Sequence, residues 1–573
     1  MQFQRVLVDK KPFWSRPLVS VAGHDHVHDA TCRLPQEKVF TLSEQFTRRI
    51  DGLKASSRKG LFGRIRRGIE KEGLRVDSQG SIVATPHPHA LGSKLTHPYI
   101  TTDYSESLLE YITPVFSRPG DALSFLADLH RYSYRYLGQE LIWPSSMPSR
   151  LDGNDSVPIA DFGTSNVGTM KRVYRFGLDM RYGRIMQSIA GIHYNFSLPD
   201  ELWTQLQEID GQQDVSAQAF RSRAYFDLIR NFRRYSWVLM YLFGASPAVD
   251  RSFLEGRDAG LSAHGDHTLL SSTASTLRMS DLGYQNKVQS QLRICFNSLE
   301  NYVGTLRHAI VTPWPDYERA GVEVDGQWRQ LNANMLQIEN EYYSDIRPKR
   351  VARHDETPTQ AMESRGVEYI EVRCLDLNPY VPLGIDEQQI RFLDMFLVWC
   401  LLSPSPWISD EECDRLDDNR AKVVRYGRDS SLMLSFAEGD RPLADCLHEI
   451  FEAMAPIAAL MDSDDEDAPH QQALADLRPL IDSPELTPAG RMYEEMTSSG
   501  QDYVTWSLER ARAHADWFAS TPMDPARETL LDQLTDTSHQ QQRETEADDE
   551  VDFATFLERY FEHARRLKIE HSV

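Results

Sequence analysis

Apolar and polar residues alternate along several stretches of this chain that lie far apart in sequence. In GVEYIEVRCLDLNP (366–379), Ile370, Val372 and Cys374 take one face of an extended segment, and Tyr369, Glu371 and Arg373 take the other. That period of two predicts a strand. RGIEKEGLRV (67–76) puts Glu70 and Glu72 together on one side. GIHYNFSLP (191–199) sets Ile192, Tyr194, Phe196 and Leu198 against His193, Asn195 and Ser197. NANMLQIENEYY (332–343) sets Leu336, Ile338, Asn340 and Tyr342 against Gln337, Glu339, Glu341 and Tyr343. Four strands of this kind make a sheet with one apolar face and one face that carries carboxylates, a histidine and an amide. The second face is expected to line a metal and phosphate pocket.

Other stretches have helical spacing. Residues 120–142 and 385–402 repeat their apolar positions as amphipathic helices do, and both fit as covers for the apolar face of the sheet. Residues 42–65 predict one or two helices, with Ser43 as N-cap. LRVDSQGSIV (74–83) predicts a hairpin around Asp77 to Gly80. In THPYITTDYSESLLEYITPV, Asp103, Glu106 and Glu110 have the spacing of one helical face. The β-branched, apolar surroundings favour instead a turn at DYSES that feeds a strand LLEYITPV. WVLMYLFGA (237–245) is too short to span a bilayer and reads as a buried helix, and no apolar run reaches about 18 residues. The chain changes character after about residue 405, becoming helical and acidic, with Asp462 to Asp467 as an exposed loop or helix start. The expected organisation is an N-terminal extension (1–43), a catalytic core (44–405), a mostly helical part (406–535) and an acidic amphipathic tail (536–573) that includes ETEADDEVD.

Charge narrows the function. A formal net charge of -23 argues against sequence-independent nucleic-acid binding, which needs a basic footprint, and favours a protein that recruits cations locally. Cys32, Cys295, Cys374, Cys400, Cys413 and Cys446 show no CxxC spacing, so neither structural zinc nor a disulfide framework is expected. A reducing, cytoplasmic setting is the simplest reading, and no secretory signal opens the chain. His24, His26 and His28 alternate near the N-terminus; such a run is more often a solvated tail than a metal site.

A pocket holding Glu70, Glu72, Asp103, Glu110 and Glu371 contains too many carboxylates to stay ionised without counter-ions. Two or three magnesium ions, which prefer oxygen ligands, would resolve this. Taken alone, Glu371 and Arg373 read more readily as a plain ion pair on a core strand; the other segments that repeat the device point to a site. His193 is readable as a hydrogen-bonded core histidine or as a neutral imidazole ligand.

The motifs RGIEKEGLRV, HPHALGSKLTHPYITTDYSESLLEYITPV (87–115), RYGRIMQSIAGIHYNFSLP (181–199), YLFGASPAV (241–249), SDLGYQNKVQS (280–290), LQIENEYYSDIRPKR (336–350) and GVEYIEVRCLDLNP resemble the proteobacterial type of glutamate–cysteine ligase, also called γ-glutamylcysteine synthetase. The resemblance is collinear from about residue 45, is loose in the C-terminal third, and leaves residues 1–43 beyond the usual start of this family. It implies an α+β fold built on a glutamine-synthetase-like sheet, antiparallel and curved into a funnel-shaped active site, with helices packed outside.

The activity implied is ATP-dependent ligation of the glutamate γ-carboxyl to the cysteine amino group through γ-glutamyl phosphate, the first step of glutathione synthesis. Carried over by position, Glu70, Glu72, Asp103, Glu110, His193 and Glu371 look like magnesium ligands, with manganese as a substitute ion. Arg373, beside Glu371, looks like the cation that stabilises the transferring phosphoryl group. Arg278 resembles a carboxylate-binding arginine. Tyr174, Leu178, Tyr284 and Tyr343, with Tyr104 nearby, resemble the walls of the cysteine side-chain pocket. Gln187 and Ile189 look like further substrate contacts, and Asn195 and Arg373 like nucleotide contacts. Position 104 departs from the family, with tyrosine where phenylalanine is usual. A monomer and glutathione as feedback inhibitor go with the resemblance, while net charge and the lack of a long apolar run argue against nucleic acid and membrane as partners.

Two other readings stay open at this stage. One is a related carboxylate–amine ligase or guanidine-modifying enzyme that uses the same metal-binding sheet with a different amine. The other is a non-catalytic binding protein, which predicts loss of the carboxylates or of Arg373; all of them are present.

Overall fold

The computed structural model of the 573-residue chain describes residues 43–55, 60–283, 288, 292, 294–353 and 356–570, with side chains to residue 562. Tyr284, Cys32 and the His24, His26 and His28 run lie outside the described residues.

The scaffold of the site is a seven-stranded sheet in which every pairing is antiparallel. Its strands are β1 (Arg66–Val76), β2 (Ile100–Thr102), β3 (Leu108–Ile112), β4 (Leu141–Ile142), β5 (Ile192–Ser197), β6 (Ile346–Lys349) and β7 (Tyr369–Leu375). The order across the sheet is β6-β7-β5-β1-β3-β2, with β4 also pairing with β1. Residues 103–112 form the expected turn and strand: Asp103 N–H donates to the Leu108 carbonyl at 3.1 Å across the turn, and Glu110 lies within β3. The turn around Asp77 to Gly80 also forms, closed by Asp77 N–H to the Ser81 carbonyl at 2.9 Å.

One expected strand is absent. Residues 332–343 form a loop and a short 3-10 turn, Glu339–Glu341, and the strand begins only at Ile346. The alternation there reflects burial rather than extended backbone. Glu339 and Glu341 are both buried because Thr359 donates to Glu339 and Gln337 N–H donates to Glu341.

Helices cover the apolar face. Their ranges are α1 (Glu44–Ala55), α2 (Pro119–Tyr134), α3 (Asn166–Tyr182), α4 (Ala217–Tyr235), α5 (Trp237–Phe243), α6 (Glu387–Leu402), α7 (Pro525–Ala547) and α8 (Phe553–Glu570), with a further run of helices between residues 410 and 520. The Ser43 hydroxyl caps α1 through Phe46 N–H at 3.1 Å, satisfying one of the donors a helix start leaves open. Asp386 does the same for α6. Residues 237–243 are the buried helix α5.

A buried polar triad ties α6 to the sheet. Arg67 of β1 donates to Asp394 of α6 at 2.7 Å, and Tyr194 of β5 donates to the same carboxylate at 2.6 Å. Removing one member of such a pair leaves an uncompensated charge, at a cost of about 3–5 kcal/mol. The triad therefore fixes the register of helix against strands, and so the orientation of the opposite face. None of the described helices is long and apolar enough to cross a membrane.

Candidate active site

Strand register assembles the site. Glu70 lies opposite His193, and Glu72 lies opposite Glu110. Glu371 has Asn195 of β5 on one side and Arg347 of β6 on the other. Residues directly opposite in an antiparallel ladder share a face, so β1, β3, β5, β6 and β7 send these groups to the same side of the sheet.

The contacts agree with the register. His193 Nδ1 is 3.1 Å from Glu70, and its Nε2 is 3.8 Å from Glu72. Arg373 Nη1 is 3.2 Å from Glu371 Oε1 and 3.4 Å from His193 Nδ1. Lys349 Nζ reaches the same Glu371 oxygen at 3.4 Å. The Asn195 amide donates to Glu70 at 2.8 Å. Glu106, from the same acidic run as Asp103 and Glu110, turns away and pairs with Lys94.

The carboxylates do not titrate alike. Burial, reinforced by Asp103, Glu70 and Glu72, pushes Glu110 well above the ordinary carboxylate range. Burial also raises Glu72. At Glu371 burial acts in the same direction, but Lys349, Arg373, His193 and Arg347 outweigh it and hold that carboxyl well below the ordinary range. Glu70 ends below it too, because the His193 hydrogen bond and Lys349 overcome burial and Glu371. The face thus has a basic flank around Glu371, and an acidic flank around Glu72 and Glu110 where burial and neighbouring carboxylates outweigh the pull of Arg278, Arg373 and Lys171.

The seam between the two flanks fits a hard divalent cation. Glu70, Glu110 and His193 each offer one ligand atom, all within 4.8 Å of one another. Two buried acceptors nearby, Glu371 Oε2 and Asn195 Oδ1, have no hydrogen-bond partner among the described residues. Oxygen donors with one imidazole suit such ions.

The cavity over this face is lined by Glu72, Asp103, Tyr104, Tyr174, Leu178, Gln187, Ile189, His193, Arg278, Tyr343 and Arg373 among the residues singled out from sequence. Glu70, Glu110, Asn195 and Glu371 stand on the sheet beside it. Arg278 is buried: its Nη2 donates to the Arg373 carbonyl at 3.0 Å, and its Nη1 lies 3.9 Å from Asp376. Asp376 is itself gripped by Ala245 N–H, Ser246 and Thr276. Gly191 is required by close approach, since a Cβ there would meet the Arg278 guanidinium at 2.1 Å. Its N–H donates to Glu72 at 2.6 Å.

Five cavity residues escaped the sequence reading as site residues: Arg175, Tyr182, Asn340, Glu341 and Arg347. Arg175 is held by the carbonyls of Asp103, Tyr104 and Lys171 and stacks on Phe162 at 4.4 Å. Arg347 is held by the carbonyls of Asn340 and Tyr342. Both guanidiniums therefore bring charge to the cavity that backbone oxygens solvate without neutralising. Glu341 differs, because its carboxylate is engaged by Arg181 at 2.8 Å and by Tyr182 at 2.7 Å. Arg347 and Lys349, two apart in IRPK, carried a period-two signal that could have been read.

Comparison with known proteins follows the same lines. A family model described as Glutamate-cysteine ligase matches residues 50–423. The chain is 47% identical over 519 residues to the glutamate–cysteine ligase of Pseudomonas paraeruginosa, covering 91% of this chain and 98% of that one. It is 48% identical over 526 residues to that of Hahella chejuensis, covering 91% and 99%. Among solved structures, the glutamate–cysteine ligase of Francisella tularensis in complex with AMP aligns with a TM-score of 0.82 at 34% identity, covering 88% of this chain and 98% of that one. A bifunctional glutathione synthetase from Pasteurella multocida aligns with a TM-score of 0.67 at 25% identity, covering 86% of this chain and 58% of that one.

Proposed function

The chain belongs to the glutamate–cysteine ligase family, and from that premise we propose how its own residues divide the work. The reaction is ATP-dependent joining of the glutamate γ-carboxyl to the cysteine amino group, as in glutathione synthesis. A free carboxylate is a poor acyl donor, so the γ-carboxylate first takes the terminal phosphoryl group of ATP and releases ADP. The amine then attacks the acyl carbon, and the tetrahedral intermediate expels phosphate.

Phosphoryl transfer needs positioning and charge neutralisation more than covalent help from the protein. Glu70, Glu72, Asp103, Glu110, His193 and Glu371 would hold magnesium; a divalent cation held there supplies positive charge against the phosphates of ATP. Arg373 presents a planar guanidinium to the phosphoryl oxygens, where a fork of donors matches spread-out anionic charge. Glu371 fixes Arg373 in place at 3.2 Å. Arg278, anchored by the Arg373 carbonyl, takes a substrate carboxylate. Tyr104, Tyr174, Leu178 and Tyr343, with Gln187 and Ile189, form the wall that meets the side chain of the incoming amino acid. Asn195 contacts the nucleotide. A cytoplasmic monomer inhibited by glutathione belongs to the same reading and rests on the family.

The observation that carries this reading is the meeting of a carboxylate flank and a guanidinium flank at His193 within one cavity. The test supplies ATP, magnesium and glutamate and compares phosphate release with cysteine, 2-aminobutyrate, alanine and no amine. Fast release that needs cysteine supports the assignment; equal release with every amine removes the thiol pocket from it.

A further inference from the structure

The acidic C-terminal segment reaches the outer side of one cavity wall. Helix α3 turns Tyr174 and Leu178 toward the cavity. Its outer side carries Val173, which is buried in a cluster with Leu331 and with Leu557 and Phe561 of α8. Tyr174 itself packs against that cluster, so a single side chain both lines the cavity and touches the C-terminal packing. Trp328 meets Phe553 of α8 edge to face at 5.1 Å.

Polar contacts fix the start of the same helix. The Asp549 carboxylate accepts Asn166 N–H at 2.6 Å, the Val551 carbonyl accepts the Asn166 side-chain amide at 2.9 Å, and Glu546 accepts Thr164 N–H at 3.0 Å. Carboxylates at a helix N-terminus satisfy its open donors and oppose its dipole. Upstream, Ser538 of α7 accepts Ser93 N–H at 2.9 Å, and its carbonyl accepts the Thr96 hydroxyl at 2.6 Å. The segment held there leads directly into β2 and Asp103. The opposite half of the cavity, with His193, Glu371 and Arg373, is held by strand pairing instead.

We propose that α8 and the acidic turn before it position α3, and thereby set the pocket that receives the side chain of the acceptor amino acid. The proposal rests on the reading of Tyr174 and Leu178 as that pocket. It makes α8 and that turn, as distinct from α7, a positioning element for one substrate out of three.

The test uses the full chain carrying Leu557→Ala or Phe561→Ala, with Glu558→Ala on the exposed side of α8 as control. KM for cysteine, glutamate and ATP, kcat, and the preference for cysteine over 2-aminobutyrate are measured beside the thermal midpoint. KM for cysteine should rise roughly tenfold and the preference should shift, since small misplacements of a binding wall cost about that much or more. KM for ATP and glutamate should stay within about twofold of the natural chain, and Leu557→Met should restore the cysteine KM. Folded variants with an unchanged cysteine KM, or with all three KM values shifting in step with the thermal midpoint, would overturn the proposal. If Leu557→Ala does not fold, Phe553→Leu at the Trp328 contact applies the same criteria with a milder change. Tyr174→Ala separates the two layers. An unchanged cysteine KM in that variant sinks the pocket reading itself, whereas a raised one with unchanged α8 variants sinks only the positioning role.

Discussion

Glu72 of β1 and Glu110 of β3 sit directly opposite one another in an antiparallel ladder. Like charges in this relationship destabilise a strand pair by roughly 0.2–1 kcal/mol, and burial of the Glu110 carboxyl makes matters worse. A fold selected for stability alone would not keep them. The arrangement makes sense where the paired oxygens are needed for a cation, so stability and activity pull in opposite directions here.

Glu110→Gln should therefore separate the two. Without metal the variant should be more stable than the natural chain by up to about 1 kcal/mol, because the chain no longer has to crowd or protonate a buried carboxylate there on folding. Magnesium should raise its melting temperature much less, and turnover should fall by about 100-fold or more. Thermal unfolding with and without magnesium reads both effects. A variant that magnesium stabilises as strongly as the natural chain would remove Glu110 from the metal site.

Glu371 and Arg373 give a second contrast. Glu371→Gln should abolish magnesium-dependent turnover while leaving the fold largely intact, and full activity would take Glu371 out of the site. Arg373→Lys keeps the charge but loses the fork geometry. It should lower kcat by about 10- to 1000-fold and change KM for the amino acids far less. An unchanged kcat contradicts its assignment to the phosphoryl group.

Much of this site was legible in sequence because its strands carry two messages at once. Ile370, Val372 and Cys374 face the core while Glu371 and Arg373 face the cavity, and period two separates them. The reading failed at NANMLQIENEYY, where buried Glu339 and Glu341 mimic a strand face. Alternation reports which side chains are buried, and a 3-10 turn with internal carboxylate partners produces the same pattern. Arg175 was missed because its partners are backbone carbonyls, which leave no mark in sequence, whereas Arg347 had its period-two spacing with Lys349 to give it away. Contacts of the C-terminal segment were invisible for another reason: Glu546 meets Thr164 across 382 residues, and no local pattern encodes such a pairing.

Lys71 lies between Glu70 and Glu72 in sequence but points to the opposite face of β1. It is buried, and its Nζ donates to His130 Nε2 at 2.7 Å, while His130 Nδ1 donates to the Leu126 carbonyl at 2.8 Å. Burial pushes Lys71 down from 10.5 to about 7. Below about pH 7 the ammonium is charged in both folded and unfolded chains, and the burial penalty is present in full. Between about 7 and 10.5 the folded chain has released a proton that the unfolded chain retains, so stability rises with pH by up to about 1.4 kcal/mol per unit. Lys71→Met should flatten that rise. It should also raise stability near pH 6, offset in part by about 1–3 kcal/mol for the unpaired His130 nitrogen. Urea unfolding at pH 6 to 10 measures the slope; the same slope in both chains would show that Lys71 stays charged when folded.

Tyr104 lines the cavity, and its hydroxyl has a partner: it donates to the Arg175 carbonyl at 3.4 Å. The ring contributes wall area while the hydroxyl is turned to the backbone of α3. A bond of that length is weak, so Tyr104→Phe should cost no more than about 1 kcal/mol of stability. For the same reason it should change the preference for cysteine over 2-aminobutyrate by less than about threefold, well inside the range that a single apolar contact controls. Measured kcat/KM ratios for the two amines decide the matter. A tenfold loss of cysteine preference would mean that the hydroxyl serves the thiol rather than the Arg175 carbonyl, and that position 104 tunes selectivity in this chain.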